Sequence, residues 1–127
     1  MHNYILIDDN KIDLLVASKA IELSGQNAST VYQFSGAQAA LEFIKTFDSQ
    51  MKTVMLIDIQ MPTMNGFEFM DVFEQFSDEV KQKYYCYFLT SSSNDIDRLK
   101  AQKYPSIKQF LIKPFKSETL VSLLNNN

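Results

Sequence analysis

A chain of 127 residues with 46% hydrophobic and 21% charged residues has the size and composition of a single folded domain, long enough to bury roughly two thirds of its unfolded surface without covalent staples. Its formal net charge of −3 argues against direct contact with nucleic acid, since phosphate binding wants a basic face. One cysteine, Cys86, excludes an internal disulfide and points to a reducing, cytoplasmic setting, and with no apolar run near the roughly 20 residues of a membrane span and no signal-peptide pattern, membrane insertion is not expected.

His2, near the start, is expected to lie in a frayed end, and one histidine cannot build a metal site. The first apolar run, residues 4–7, ends at Asp8-Asp9. Residues 11–24 read as a helix with Asn10 as N-cap and Gly25 as stop. Residues 30–34 alternate as a strand does. Ser35-Gly36-Ala37-Gln38 fits a capping box, and the helix after it lines up Ala37, Ala40, Leu41 and Ile44 at i, i+3, i+4, i+7.

The next apolar run, residues 53–57, ends at Asp58. A loop containing Met61-Pro62 follows. Asn65-Gly66-Phe67-Glu68 then has the pattern of a helix cap, with an apolar stripe of Phe69, Val72, Phe73 and Phe76 that reads as core rather than a cofactor box. Residues 85–89 form the fourth run, ending at Thr90; Cys86 within it reads as an inert buried thiol. The helix after it is poorly patterned. Ile96 and Leu99 are its apolar anchors among Asp95, Asp97, Arg98, Lys100 and Lys103, so it is expected to be loosely held. The fifth run, residues 107–112, ends at Lys113-Pro114, and a last helix carries Leu120, Leu123 and Leu124 before a frayed Asn125-Asn126-Asn127.

Continuous apolar strands alternating with helices, five times over, imply an α/β fold: a five-stranded parallel sheet in a doubly wound sandwich with helices on both faces. No linker or internal repeat divides the chain, so residues 1–127 are expected to be one domain with no output domain attached. In a parallel sheet every strand ends on the same edge, where ligands of such folds bind. Asp8, Asp9, Asp58, Thr90 and Lys113 should therefore converge. Each close pair of carboxylates costs on the order of 4 kcal/mol at an effective dielectric near 20, so the acids must take up protons or hold a cation. Oxygen ligands without a His or Cys cluster suit Mg²⁺, which keeps waters and binds phosphate. A carboxylate is a competent covalent nucleophile there, with a lysine and a hydroxyl offsetting the charge of the transferring phosphoryl group.

Taken in order, Asp8-Asp9 after Ile5-Leu6-Ile7, Asp58 followed by Met61-Pro62 and Gly66, Thr90 after Phe88-Leu89, and Lys113-Pro114-Phe115 resemble the response-regulator receiver domain of two-component signalling, over essentially the whole chain. The resemblance implies a flavodoxin-like (βα)5 fold with strand order 2-1-3-4-5. It implies that Asp58 is the phosphoacceptor, forming an aspartyl phosphate, and that Mg²⁺ (or Mn²⁺) is held by Asp9, Asp58, the backbone carbonyl of Gln60 and, through water, Asp8. It also implies that Thr90 and Lys113 contact the phosphoryl group, that Phe110 and Thr90 form the switch, and that the Lys113-Pro114 bond is cis. The run Thr90-Ser91-Ser92-Ser93 leaves Ser91 as a rival to Thr90. Asn65 stands where the family often has Asp, at a position that is not a ligand. Phe110 lacks a hydroxyl, so a switch there must work by packing. Gln60 and Ser92 occupy variable positions that tune dephosphorylation.

The expected protein is a phosphoacceptor rather than an enzyme, a monomer or weak dimer. It would receive phosphoryl from a histidine kinase or histidine phosphotransfer protein and act on a downstream protein through the face of the helix after Thr90, the fifth strand and the last helix. Two alternatives are a degenerate receiver serving only as an interaction module, against which the complete acid set argues, and a haloacid-dehalogenase-like phosphatase, which would want an acid where Gln60 stands.

Overall fold

In the computed structural model, which describes residues 1–26 and 28–126, alternation along one strand explains the layering. Strand β1 (His2–Ile7) sends Tyr4 and Leu6 to one face of the sheet and Ile5 and Ile7 to the other, all four buried. Tyr4 and Leu6 meet Leu14, Ala17 and Ile21 of α1 (Lys11–Leu23) and Leu120 and Leu123 of α6 (Ser117–Asn125). Ile5 and Ile7 meet Ala40, Leu41 and Ile44 of α2 (Ala37–Thr46) and Phe69, Met70 and Phe73 of α3 (Gly66–Phe73). A fully buried aliphatic or aromatic side chain contributes about 1.5–3 kcal/mol, so two apolar faces hold the central strands far more firmly than the edges.

The other strands are β2 (Ala28–Phe34), β3 (Thr53–Asp58), β4 (Tyr84–Thr90) and β5 (Ile107–Ile112). They pair in parallel in the order β2-β1-β3-β4-β5. The chain order departs from the spatial order between β1 and β3, where β1 sits inside β2. This switch point opens a crevice at the carboxyl edge. β3 is buried along its length, as a central strand must be, whereas edge strand β5 exposes Lys108, Gln109 and Ile112, which accounts for its irregular apolar pattern.

The helix ends follow local chemistry. The Asn10 side chain accepts from the N–H groups of Ile12 and Asp13, and Gly25, at φ 76°, takes the left-handed conformation after α1. Asn65 and Glu68 close the expected capping box on α3. The box expected at Ser35 and Gln38 does not form: α2 starts one residue later, so the N-cap is Gly36, which has no side chain to offer. Phe76 lies past the end of α3 and packs on the core from the following turn, its ring 5.6 Å from that of Phe73.

Three further expectations are corrected. A one-turn helix, α4 (Asp78–Lys81), capped by Ser77, intervenes before β4; four residues are too few to show a periodic stripe. His2 is not frayed but belongs to β1, pairing with Ala28 of β2, and its half-buried ring lies 6.0 Å from that of Tyr85. Finally, Ile96 and Leu99 do not anchor α5 (Asp95–Ala101): they are 73% and 64% exposed. The buried residue of α5 is Ala101, and the helix is fastened instead by cations on rings, Arg98 at 4.6 Å from the Phe110 centroid and Lys100 at 4.6 Å from that of Phe67. Such contacts are worth about 0.5–1 kcal/mol each at exposed sites. The amides of α5 are therefore expected to exchange with solvent about tenfold faster than those of α3 or more; equal protection of the two helices would show α5 to be held as firmly. Helix α6 runs to Asn125, while Asn127, assigned to a frayed end, falls outside the described residues. Among the described residues no helix is long and apolar enough to cross a membrane.

Candidate functional site

Register delivers the site. Ile7 pairs with Ile57, so Asp8 and Asp58 leave adjacent strands side by side. On the other flank Thr90 pairs with Ile112, and the next residue, Lys113, donates its backbone N–H to the Thr90 carbonyl at 2.7 Å. Asp8, Asp9 and Asp58 each bring a carboxylate oxygen within 4.8 Å of the others, Asp8 and Asp58 buried and Asp9 exposed. The backbone N–H of Asn10 donates to Asp8 at 2.9 Å, which sets that carboxylate at the head of α1.

One ammonium answers this charge. Lys113 Nζ, nearly buried, lies 2.7 Å from Asp8 Oδ2, 2.8 Å from Asp13 Oδ2 and 3.5 Å from Asp58 Oδ1. Burial pulls the lysine toward its neutral form, yet the carboxylates of Asp13, Asp8 and Asp58 outweigh it and hold the ammonium well above its ordinary pKa. Asp58 moves the other way for an acid: burial first, then the charge of Asp8, push its carboxyl up to about 7, against the pull of Lys113 and of a hydrogen bond from the Gln60 backbone. Two neighbouring carboxylates and one shared ammonium thus leave negative charge uncompensated at Asp58.

Asp13 was not among the sequence candidates. Its one legible signal is that it is the acid in the first turn of α1, which starts directly after the strand end that carries Asp8 and Asp9. That it reaches Lys113, 100 positions away, depends on how α1 lies on the sheet.

The loop after Asp58 is shaped by backbone. Thr63, a β-branched residue, sits at φ 70°, and Met64 N–H donates to the Pro62 carbonyl at 2.8 Å, closing a γ-turn around it. Such a conformation costs on the order of 1–3 kcal/mol. It turns the chain so that Gly66 N–H donates to the Ile59 carbonyl at 2.8 Å. A Cβ on Gly66 would lie 2.7 Å from the Asp58 carbonyl oxygen and 2.9 Å from Ile59 Cα, so α3 starts against the peptide that carries Asp58. Asn65 serves as the cap and is not among the converging acids. Gln60 is exposed and lines a cleft of about 470 Å³ with Met61, Phe67, Asp97 and Lys100.

Thr90 ends β4 in a buried position, its Oγ1 accepting from Ser92 N–H at 3.3 Å, whereas Ser91 is exposed beyond the strand. Phe110 is half-buried on β5 beneath Arg98. The Lys113-Pro114 peptide is cis. Cys86 is fully buried, and burial pushes its thiol well above the ordinary range, as an inert core residue requires.

The donor set on this edge consists of carboxylate oxygens, hard ligands close enough together to hold a cation, and the raised Asp58 shows that Lys113 alone does not offset their charge. This fits Mg²⁺ or Mn²⁺ and gives nothing that would favour a soft metal.

Comparison with known proteins identifies the family and the fold. Residues 4–125 match the family described as the response regulator receiver domain. A response regulator receiver protein from Dyadobacter fermentans superposes with a TM-score of 0.89 at 30% identity, covering 99% of this chain and 97% of that one. A two-component response regulator from Cytophaga hutchinsonii also superposes with a TM-score of 0.89, at 25% identity, covering 99% and 96%. Over 66 residues, 52% of the chain, the sequence is 36% identical to the probable histidine kinase 4 of Oryza sativa subsp. japonica, a stretch that is 6% of the kinase's length.

Proposed function

The chain belongs to the response regulator receiver domain family, and from that membership we propose that it accepts a phosphoryl group on Asp58, in a Mg²⁺-dependent reaction, and signals through altered protein contacts. The observation that carries this reading is the gathering of Asp8, Asp9 and Asp58 on one sheet edge around the Lys113 ammonium. The donor is a phosphohistidine on a histidine kinase or histidine phosphotransfer protein; likeness to plant histidine kinases supports that phosphorelay setting. Exposed Ile12, Leu15 and Val16 on α1, beside the acidic edge, offer a protein donor an apolar seat.

In the reaction an Asp58 carboxylate oxygen attacks phosphorus. An O–P bond forms, the N–P bond of the donor breaks, and the imidazole nitrogen keeps the electron pair. Lys113 offsets charge on the phosphoryl oxygens, and the Thr90 hydroxyl donates to one of them. Asp8, Asp9, Asp58 and the Gln60 carbonyl would hold Mg²⁺, which when bound supplies the positive charge that the crowded acids lack. Drawing Thr90 and Lys113 toward the phosphoryl group lets Phe110 repack. Because Arg98 rests on Phe110, that movement loosens α5 and changes the face formed by α5, β5 and α6. Gln60 stands where a phosphatase of the dehalogenase type would want a second acid, which favours a phosphoacceptor over an enzyme.

Phosphotransfer from a labelled histidine kinase or phosphotransfer domain, with Mg²⁺, tests this directly. Wild type is expected to take up an alkali-labile label, and Asp58→Asn to take up none. Equal labelling of the two proteins would overturn the assignment of Asp58.

A further inference from the structure

Lys113 has two short partners and one long one. Asp8 at 2.7 Å and Asp13 at 2.8 Å lie within the range of charge-assisted hydrogen bonds, while Asp58 at 3.5 Å lies outside it. We propose that Asp13 is a positioning residue that holds the Lys113 ammonium off Asp58 in the unmodified protein and releases it when Asp58 carries a phosphoryl group. The proposal rests on the reading of Asp58 as phosphoacceptor.

Of the two close partners, Asp13 is the one that can let go. The Asp8 side chain is 7% exposed and is also tied to Asn10 N–H, whereas the Asp13 side chain is 34% exposed and finds solvent on release. Asp13 is nonetheless aimed, because its N–H is held by the Asn10 cap while Leu14 and Ala17 next to it pack α1 on the sheet. Lys113, 11% exposed, has no alternative but to move among these acids. A phosphoryl group brings about −1.5 to −2 charge and three acceptor oxygens, more than one carboxylate offers, so the ammonium transfers to it. Asp13 then loses its partner, which links the chemistry at β3 to the first turns of α1 as well as to β5.

Asp13→Asn keeps the shape and removes the charge. Phosphorylation by phosphoramidate in Mg²⁺ is expected to speed up by roughly fivefold in Asp13→Asn, since the ammonium no longer has to leave a charged partner, and Asp13→Glu is expected to return the rate toward wild type. Thermal melts check that both variants fold. In lysine-ammonium ¹H–¹⁵N spectra, beryllofluoride, a phosphoryl mimic, is expected to shift Lys113 Nζ, and unmodified Asp13→Asn is expected to lie part of the way along that shift already. An Asp13→Asn rate equal to or below wild type, or a Lys113 signal unmoved by the substitution, would overturn the role of Asp13. Failure of phosphoramidate to label the wild-type protein would instead overturn the reading of Asp58, so the two outcomes are separable.

Discussion

Asp58→Asn is expected to make the metal-free protein more stable at pH 8, by on the order of 4 kcal/mol, a value that follows from about 1.36 kcal/mol per pH unit and a carboxyl pKa moved from 3.8 to about 7. The direction comes from proton counting. Between about pH 4 and 7 the folded carboxyl keeps a proton that the unfolded one has released, so stability falls as pH rises through that window. Above about 7 both states are ionised and the loss is complete; below about 4 both are protonated and the slope vanishes. Lys113 acts far outside this window, because its raised value only separates folded from unfolded protein at the alkaline end. Urea denaturation in EDTA from pH 5 to 8 should therefore show the wild-type protein losing stability that Asp58→Asn keeps, on top of a small gain with pH that both proteins share because burial lowers the pKa of His2. Millimolar Mg²⁺ at pH 8 should recover much of the loss in wild type and less in the variant, since ligands that bind the folded state stabilise it by mass action. A wild-type pH profile parallel to that of Asp58→Asn would show that the carboxyl carries no such penalty.

Gly66→Ala is expected to be the most damaging single-methyl change near the site, destabilising the fold by about 3 kcal/mol. The new Cβ would meet the Asp58 carbonyl oxygen at 2.7 Å and Ile59 Cα at 2.9 Å, which are backbone atoms that cannot rotate away. Relief requires either α3 or the end of β3 to retreat. Because Phe69, Met70 and Phe73 lock α3 into the core, part of the shift falls on the Asp58–Ile59 peptide where β3 ends, and Asp58 moves with it. The variant should therefore also lose phosphorylation rate, by more than its folded fraction accounts for. Gly36, whose added Cβ would meet nothing within 4 Å, supplies the control: Gly36→Ala should alter neither chemical denaturation nor labelling beyond the loss of a weak cap. Comparable stability of the two alanine variants would show that the close approach at Gly66 is not what constrains Asp58.

Much of the site was legible in the chain because a parallel sheet turns sequence position into spatial position. Once residues 4–7, 53–57, 85–89 and 107–112 are read as strands, the residues that follow them must share an edge, and so Asp8, Asp9, Asp58, Thr90 and Lys113 could be named together. Helix stops and caps were legible for the same local reason: Asn10, Gly25 and Asn65 act on groups within three or four residues. Periodicity failed where it was weak. Ile96 and Leu99 are the few apolar anchors of a poorly patterned helix, yet both are exposed and α5 is held by Arg98 and Lys100 on aromatic rings contributed by β5 and α3, partners that no local pattern announces. The one-turn α4 and the missing cap at Ser35 failed for want of length, since a single residue of offset decides them.

By itself, then, the sequence determined the five strands, the five longer helices, and the acids and lysine of the sheet edge, because these follow from period and chain order, and its motifs carried the resemblance to the receiver family. Only the tertiary structure decided how charge is shared there. The angle at which α1 lies on the sheet brings Asp13 to Lys113 across 100 residues, and the depth of the edge raises the Asp58 carboxyl to about 7. Distances and burial between elements set those two quantities, and neither is written in the order of residues along any one element.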